Sequence, residues 1–591
     1  MRLTTDCQVP QMETMATCTT ASAYINKAAW VQRNRGVAMP AGRTNSMADD
    51  LLIERDLPSE EVWRRAEERL DWPISRGLNS AHEACDRWSG DSQRVALIEC
   101  HPDGTSSRWT FAELAEKATR LAAAWSAAGI RPGERIASLL GSRVEAYITA
   151  LAAWRSGLIF QPLFAGFGPS AVAERISSSQ PAAVVVDPPL RDRVTAALAI
   201  ANCDPLIYTV TSTGGVGRLS GDRDFWQEVQ STQPDHRMVV TAPSDTATLL
   251  YTSGTTGAPK GCMMPHSTVL ALQPFVRHVL GLEDSDLLFC GASPGWAYGL
   301  YALGFGVMAL GHTVLIYTGK FKPEAWLQAM SEHRPTVIAA APSAFRRLVA
   351  VAESTGLPSS LRSATCAGEP LDAPLVRAWR DLAGFDLRDS FGQSEMAMVL
   401  GNLAHDKRPV VGGSLASVMP GLDVALVDED GVPQGEQGIL ALRSPRYQTC
   451  TGYRNKDELW AERWRGDYFL SGDIFRRDEQ GRYWFVGRQD DLIVTSGYNV
   501  GPAEVENIIM AHNGVAEAAV LGAPDPARGS VVRAVIVLNG SSPADIVDED
   551  VRRMVADRLG HHAAPRIVDF VDALPRTETG KVRRSELRTV D

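Results

Sequence analysis

The sequence predicts an α/β protein, with a large N-terminal domain of mixed and largely parallel sheet followed by a small, separate C-terminal α/β domain. Three observations predict it. The chain has 591 residues, about four times the ~150-residue prior for one domain. Apolar residues make up 45% and charged residues 22%, the balance of a packed globular protein. From about Leu78 onward amphipathic helices alternate with short, uninterrupted apolar runs, the pattern of strands buried on both faces.

Residues 1–46 stand apart. They are rich in Thr and Ala, carry only Asp6 and Glu13 as acids, and show no sustained apolar period. They read as a disordered extension, or as the product of a start codon ahead of the ordinary acidic stretch that opens at Met47. Arg33, Arg35 and Arg43 give the low-acid look of an import segment without its amphipathic period, and no apolar core of a secretory signal is present.

Thr110 followed by Glu113 is a capping-box pattern opening a helix that ends near Gly129. Arg131-Pro132-Gly133-Glu134 then turns the chain into a strand over Arg135–Leu140. Buried strands are predicted at 182–186, 247–251, 313–317 and 336–341. The last hundred residues repeat the alternation in small: a helix over 503–512, strands over 515–521 and 531–538, and a helix over 544–559. The predicted division is 47–489 for the large domain and 490–591 for the small one.

Charge and cysteine usage exclude several classes. Fifty-nine basic residues against 70 acidic ones leave a net charge of −11, the wrong sign for a surface devoted to nucleic acid. Nine scattered cysteines form no CxxC pair, so neither a disulfide framework nor a structural zinc site is expected, and a reducing cytoplasm fits. No apolar stretch reaches the ~18 residues of a membrane span. Cys262 and Cys290 read as buried fillers, His266 as structural, and His561-His562 as a solvated loop.

Chemistry concentrates in Tyr251-Thr-Ser-Gly-Thr-Thr-Gly-Ala-Pro-Lys-Gly261. Glycines let backbone N–H groups turn toward an anion, hydroxyls add donors, and Lys260 adds a mobile positive charge. This is a phosphate cradle. It is not a Walker A loop, because Pro259 rather than Gly precedes the lysine. Lysine is scarce here, eight against 51 arginines, yet Lys260 and Lys581 both occupy Gly/Thr-rich turns.

That string resembles the phosphate-binding loop of the acyl-adenylate-forming (AMP-binding) superfamily, in its acyl-CoA synthetase branch. The resemblance runs from about Leu78 to Arg588, with further motifs in the family's order. Gly368-Glu369-Pro370 resembles the turn lining the adenine. Asp389-Ser390-Phe391-Gly392-Gln393-Ser394-Glu395 resembles the segment that places an aromatic on adenine (Phe391), a hydroxyl on the α-phosphate (Ser394) and a carboxylate on magnesium (Glu395). Ser471-Gly472-Asp473 is similar to the Gly-Asp that takes both ribose hydroxyls. Gly487 to Asp491 is similar to the interdomain segment, which gives Arg488 a ribose or phosphate contact and makes Asp490 the hinge. Pro575 to Lys581 is similar to the C-terminal loop carrying the adenylation lysine.

The resemblance implies a large adenylate-forming domain and an ATP-, Mg2+- and CoA-dependent carboxylic acid:CoA ligase working through an acyl-AMP. The nucleotide would be held by Thr252, Ser253, Gly254, Thr255, Thr256, Gly257 and Lys260 together with the motifs above, including Asp389, Ser390 and Gln393. Thr255 would join Glu395 on magnesium. Lys260, Glu395 and Lys581 would be catalytic, the two lysines and the metal offsetting the repulsion between carboxylate and ATP. Rotation about Asp490 would then replace Lys581 by Ser496, Gly497 and Tyr498, which would line the pantetheine tunnel.

Pro294 to Gly299 resembles the aromatic segment of the acyl pocket, with Trp296 as a gate and Tyr298 beside it. Acetate-selective relatives place a bulky Trp just before Gln393; Gly392 in its place is expected to open volume, pointing to a medium-chain, branched or aromatic acid. Asn499 stands where many relatives carry Arg, and some aryl-acid ligases resemble this chain there. Two other readings stay open: loading of a separate carrier-protein thiol, and a catalytically silent nucleotide-binding homologue. A small-molecule acid, a homo-oligomer partner and a lysine acetyltransferase acting on Lys581 complete the expected interactions.

Overall fold

The computed structural model describes residues 51, 54–211, 218–252, 259–447, 449–495, 498–525, 529–576 and 582–587. The expectations for residues 1–46, Ser253 to Gly257, Ser496, Gly497 and Lys581 therefore lie outside the described residues. So does the side chain of Tyr498.

The predicted alternation builds two large sheets. One has nine strands, from Ser417–Val418 through Ala397–Gly401, Leu387–Gln393, Ser363–Ala367, Val337–Ala340, Leu287–Gly291, Thr313–Tyr317 and Val95–Cys100 to Ser106–Thr110. Its central pairs are parallel and its edge pairs antiparallel. The other has seven strands, running from Arg223–Asp224 through Leu206–Thr209, Ala183–Val186, Arg135–Leu140, Ile159–Phe164 and Thr246–Thr252 to Lys260–Pro265. Only its last pair is antiparallel.

Both central regions are buried on two faces, which is why their strands read as unbroken apolar runs instead of alternating ones. A third sheet has the path Ser414–Leu415, Tyr483–Arg488, Tyr468–Arg477, Gln437–Arg443 and Val424–Val427, with Trp464–Arg465 beside it, and is antiparallel throughout. Its polar, half-buried strands carry no continuous apolar run, and the sequence reading did not separate it from the parallel sheets.

Local signals behave as the residue chemistry requires. Thr110 caps the helix Phe111–Ala127: its hydroxyl accepts from Glu113 N at 3.1 Å, and Glu113 Oε2 accepts from Thr110 N at 2.8 Å. The Arg131 turn closes with Glu134 N donating to Arg131 O, and Gly133 takes φ +86°. The small α/β unit near the C-terminus packs the helices Pro502–Ile509 and Ala544–Leu559 on the strands Val515–Asp525, Gly529–Leu538 and Ile567–Phe570. Its core of Val505, Ile509, Val520, Ile536, Val547 and Val551 is a separate cluster, so the unit carries its own apolar stabilisation. Among the described residues no helix is long and apolar enough to cross a membrane.

Two elements among the described residues depart from ordinary helix as π-helices, the shorter being Val276–Leu280. Tyr298–Phe305 is a π-helix, continued by the α-helix Gly306–Ala309. A β-carbon at Gly299 would lie 2.2 Å from Ser293 O, and one at Gly306 2.7 Å from Tyr301 O, so the widened turns close only around residues without side chains. Wide turns of this kind concentrate at functional sites.

Candidate active site

The sequence-predicted residues gather where the parallel strands end. Thr252, Gln393 and the turn after Ala367 all lie at the carboxyl ends of their strands, the usual position of ligands in open α/β sheets. Gly368 takes φ +91° with nothing within 4 Å of a β-carbon there, so the turn has open space beside it. Glu369 is already engaged: its carboxylate accepts from Ser343 N at 3.0 Å and Ser343 Oγ at 3.1 Å, at the start of the helix Pro342–Thr355. Ser390 Oγ donates to Cys366 O. Phe391 packs edge-on against Phe475 at 4.8 Å and near-parallel to Phe485 at 6.5 Å.

The third sheet supplies the opposite side. Gln393 Nε2 donates to Asp473 Oδ2 at 2.5 Å and to Ser471 O at 3.0 Å. Asp473 faces Arg488 across two paired strands, with Arg488 Nε 4.0 Å from Asp473 Oδ1 and its Nη2 3.9 Å from Asp490. The turn Gln489–Asp491 follows directly.

The centre of the arrangement is a residue the sequence reading missed. Tyr453, 1% exposed, donates from Oη to Glu395 Oε1 at 2.9 Å, and Lys260 Nζ lies 5.5 Å from its ring centroid. Its segment is stitched along the strand after the phosphate loop: Met263 N donates to Gly452 O, Arg454 N to Gly261 O, and Lys456 Nζ to Pro259 O. Thr449 Oγ1 reaches Ser394 O at 3.4 Å. One short segment thus clamps the Lys260 strand to the Ser394–Glu395 turn. The available signal was Lys456, one of the eight lysines.

Lys260 is held below the usual lysine range, first by burial and then by Arg463; Glu395 opposes this and Arg488 adds to it. A cluster of positive groups with one carboxylate facing them is an arrangement that awaits an anion.

The acyl-segment residues do not share one wall. Trp296 packs against Phe164 at 5.4 Å and Phe167 at 5.6 Å, whereas Tyr298 sits against Phe275 at 6.2 Å in another cluster, its hydroxyl buried with no partner among the described residues. Gly392 corrects the volume argument. A β-carbon there would lie 2.2 Å from Ala397 O and 2.7 Å from Met398 Cα, because a bulge brings the strand Ala397–Gly401 against it. The missing side chain is filled by backbone, and does not enlarge a pocket.

Asp389 is buried, and burial pushes its carboxyl up to about 7 against bonds from Ser390 N and Cys366 Sγ. The native state keeps a proton that the unfolded chain releases above about pH 4. Asp389 therefore costs stability progressively from about pH 4 to about pH 7, at no more than about 1.4 kcal/mol per pH unit. Asp389→Asn is expected to flatten this limb in denaturant titrations. A pH dependence identical to wild type would remove the assignment.

The remaining singled-out residues are structural. Ser80 N donates to His266 Nδ1 at 3.0 Å, and burial takes that imidazole down to about 3. Cys262 and Cys290 are buried, their thiols pushed up by burial. His561 and His562 are exposed.

Known proteins resemble this chain over most of its length. The family model of AMP-binding enzymes matches residues 85–454, and that of the AMP-binding enzyme C-terminal domain matches 504–581. Acetyl-coenzyme A synthetase of Bacillus subtilis is 32% identical over 539 residues, covering 89% of this chain and 93% of that protein. The crystal structure of a Brucella canis acyl-CoA synthetase superposes with a TM-score of 0.71 at 34% identity, over 91% of this chain and 98% of the other. The anthranilate CoA ligase AuaEII in complex with anthranoyl-AMP gives a TM-score of 0.80 at 25% identity, over 87% and 97%.

Proposed function

Because the chain belongs to the AMP-binding enzymes and is an acyl-CoA synthetase, an AMP-forming acid–thiol ligase, we propose that its acid is medium-chain, branched or aromatic and that its site works as follows. Lys260 and the loop before it hold the polyphosphate, Asp473 the ribose, and Phe391 with the Gly368-Glu369-Pro370 turn the adenine. Lys581 bridges the acid's carboxylate and the α-phosphate. Attack by that carboxylate on the α-phosphorus forms the acyl–phosphate bond, and pyrophosphate leaves with the electrons of the broken P–O bond. The domain 490–591 then turns about Asp490, and Ser496, Gly497 and Tyr498 guide the CoA thiol to the acyl carbon, releasing AMP. Acetylation of Lys581 would remove the charge the first step needs.

The observation that carries this reading is the convergence of Lys260 and Glu395 on Tyr453. With one oxygen of Glu395 taken by Tyr453, the other is a hard donor of the kind Mg2+ accepts; among the described residues no cluster of three acidic, His or Cys ligands forms a cage. That fits Mg2+, which is usually bound by one or two carboxylates plus substrate phosphates. Bound there with Thr255 as second protein ligand, it would supply charge neutralisation at the phosphates. Support for a larger acid comes from the AuaEII likeness, since Gly392 no longer provides it.

Release of AMP from the purified protein, measured over acids from acetate through octanoate to benzoate and aminobenzoate, with and without CoA, tests the proposal. Fast CoA-dependent release with one of the larger acids is expected. A preference for acetate would refute the substrate class, and equal release without CoA would favour a carrier-protein acceptor.

A further inference from the structure

Arg463 has no assigned role, and its surroundings give it one. Its side chain makes no hydrogen bond or ion pair among the described residues, and its Nε is buried without a partner. The guanidinium lies 5.4 Å from the Phe469 ring centroid and closes on the turn before Asp473. A methyl group at Gly472 would sit 3.3 Å from Arg463 Nη1 and 3.5 Å from Nη2. Its charge also acts on Lys260 and on the Tyr453 phenol. The guanidinium therefore lies against the Ser471-Gly472-Asp473 turn and within electrostatic reach of the phosphate-loop lysine.

A cation in that position has an energetic problem. Buried polar groups are normally paired, and a guanidinium within electrostatic reach of Lys260 is repelled by it. Gly472, at φ +72°, leaves room for the planar fork, and the Phe469 ring supports it from the side. What the arrangement lacks is a multivalent anion, and a guanidinium fork matches phosphate oxygens in pairs.

We propose that Arg463 is a polyphosphate-binding residue of this enzyme, acting with Lys260 on the β- and γ-phosphates of ATP and on the departing pyrophosphate. The inference rests on the nucleotide reading of the same site. It predicts that Arg463 contributes to ATP and pyrophosphate binding, but little to AMP binding, whose single phosphate lies on the Ser394 side.

The test is calorimetric binding of Mg·ATP, Mg·pyrophosphate and AMP to the full chain, as wild type and as Arg463→Ala, with Arg463→Gln as a second variant should the first fold poorly. ATP and pyrophosphate affinity should each fall at least tenfold, with AMP affinity within twofold of wild type. The ligand-free variant should melt at or above the wild-type temperature, because an unneutralised like charge has been removed. Unchanged ATP and pyrophosphate binding would overturn the proposal, as would a weakened CoA affinity with ATP unaffected, which would move the guanidinium to the phosphates of CoA. A melting temperature several degrees lower with binding intact would make Arg463 a packing residue. If the wild type itself binds neither ATP nor AMP, the nucleotide reading fails, and this inference with it.

Discussion

Glu395→Gln is expected to lower the rate of acyl-AMP formation by about 10²–10³-fold, the effect typical of losing one group aimed at developing charge. Glutamine keeps the length of the side chain, and its carbonyl oxygen can still accept from Tyr453 Oη, which now sits 2.9 Å from Glu395 Oε1. Only the negative charge and the second hard oxygen disappear. The loss should therefore show as a raised Mg2+ requirement and a lower kcat at saturating ATP, with the fold unchanged by circular dichroism. Pyrophosphate exchange measured across a Mg2+ series would check it. A variant with wild-type exchange at low Mg2+ would remove Glu395 from the metal.

Gly392→Ala is expected to cost about 3 kcal/mol of stability, although it adds a single methyl group. The obstacle is main chain: Ala397 O at 2.2 Å, Met398 Cα at 2.7 Å and Ala397 C at 2.8 Å, none of which can rotate away. Relief requires the antiparallel pair of Leu387–Gln393 and Ala397–Gly401 to part, and Glu395 lies in the turn between them. Chemical denaturation should show the loss, with adenylation falling in parallel because the turn is displaced. A fully stable Gly392→Ala enzyme with altered acid preference would restore the pocket-volume argument.

Much of the fold was legible because its central strands are buried on both faces. Arg135–Leu140 and Thr313–Tyr317 read as apolar runs, and the helix Ala544–Leu559 read from its period. The antiparallel third sheet was not, since strands such as Tyr468–Arg477 mix arginine, aspartate and aromatics, and their pairing depends on partners distant in sequence. The site shows the same division. Lys260, Glu395 and Asp473 sit in compact strings of unusual composition. Tyr453 occupies unremarkable sequence, and stands out only because the chain returns there to the phosphate-loop strand. Gly392 taught the opposite lesson: an absent side chain indicates space only if the backbone has not already taken it.

The π-helix Tyr298–Phe305 bears on how the packing around Tyr298 can change through descent. A π turn holds one residue more than an α turn, and the extra length here lies between Trp296 and the regular helix Gly306–Ala309. Loss of one residue would let the segment rewind as α-helix and swing Tyr298 to a new bearing, while the strands Leu287–Gly291 and Thr313–Tyr317 on either side keep their register. A single deletion there would thus redirect one aromatic side chain and leave the sheet beneath it in place.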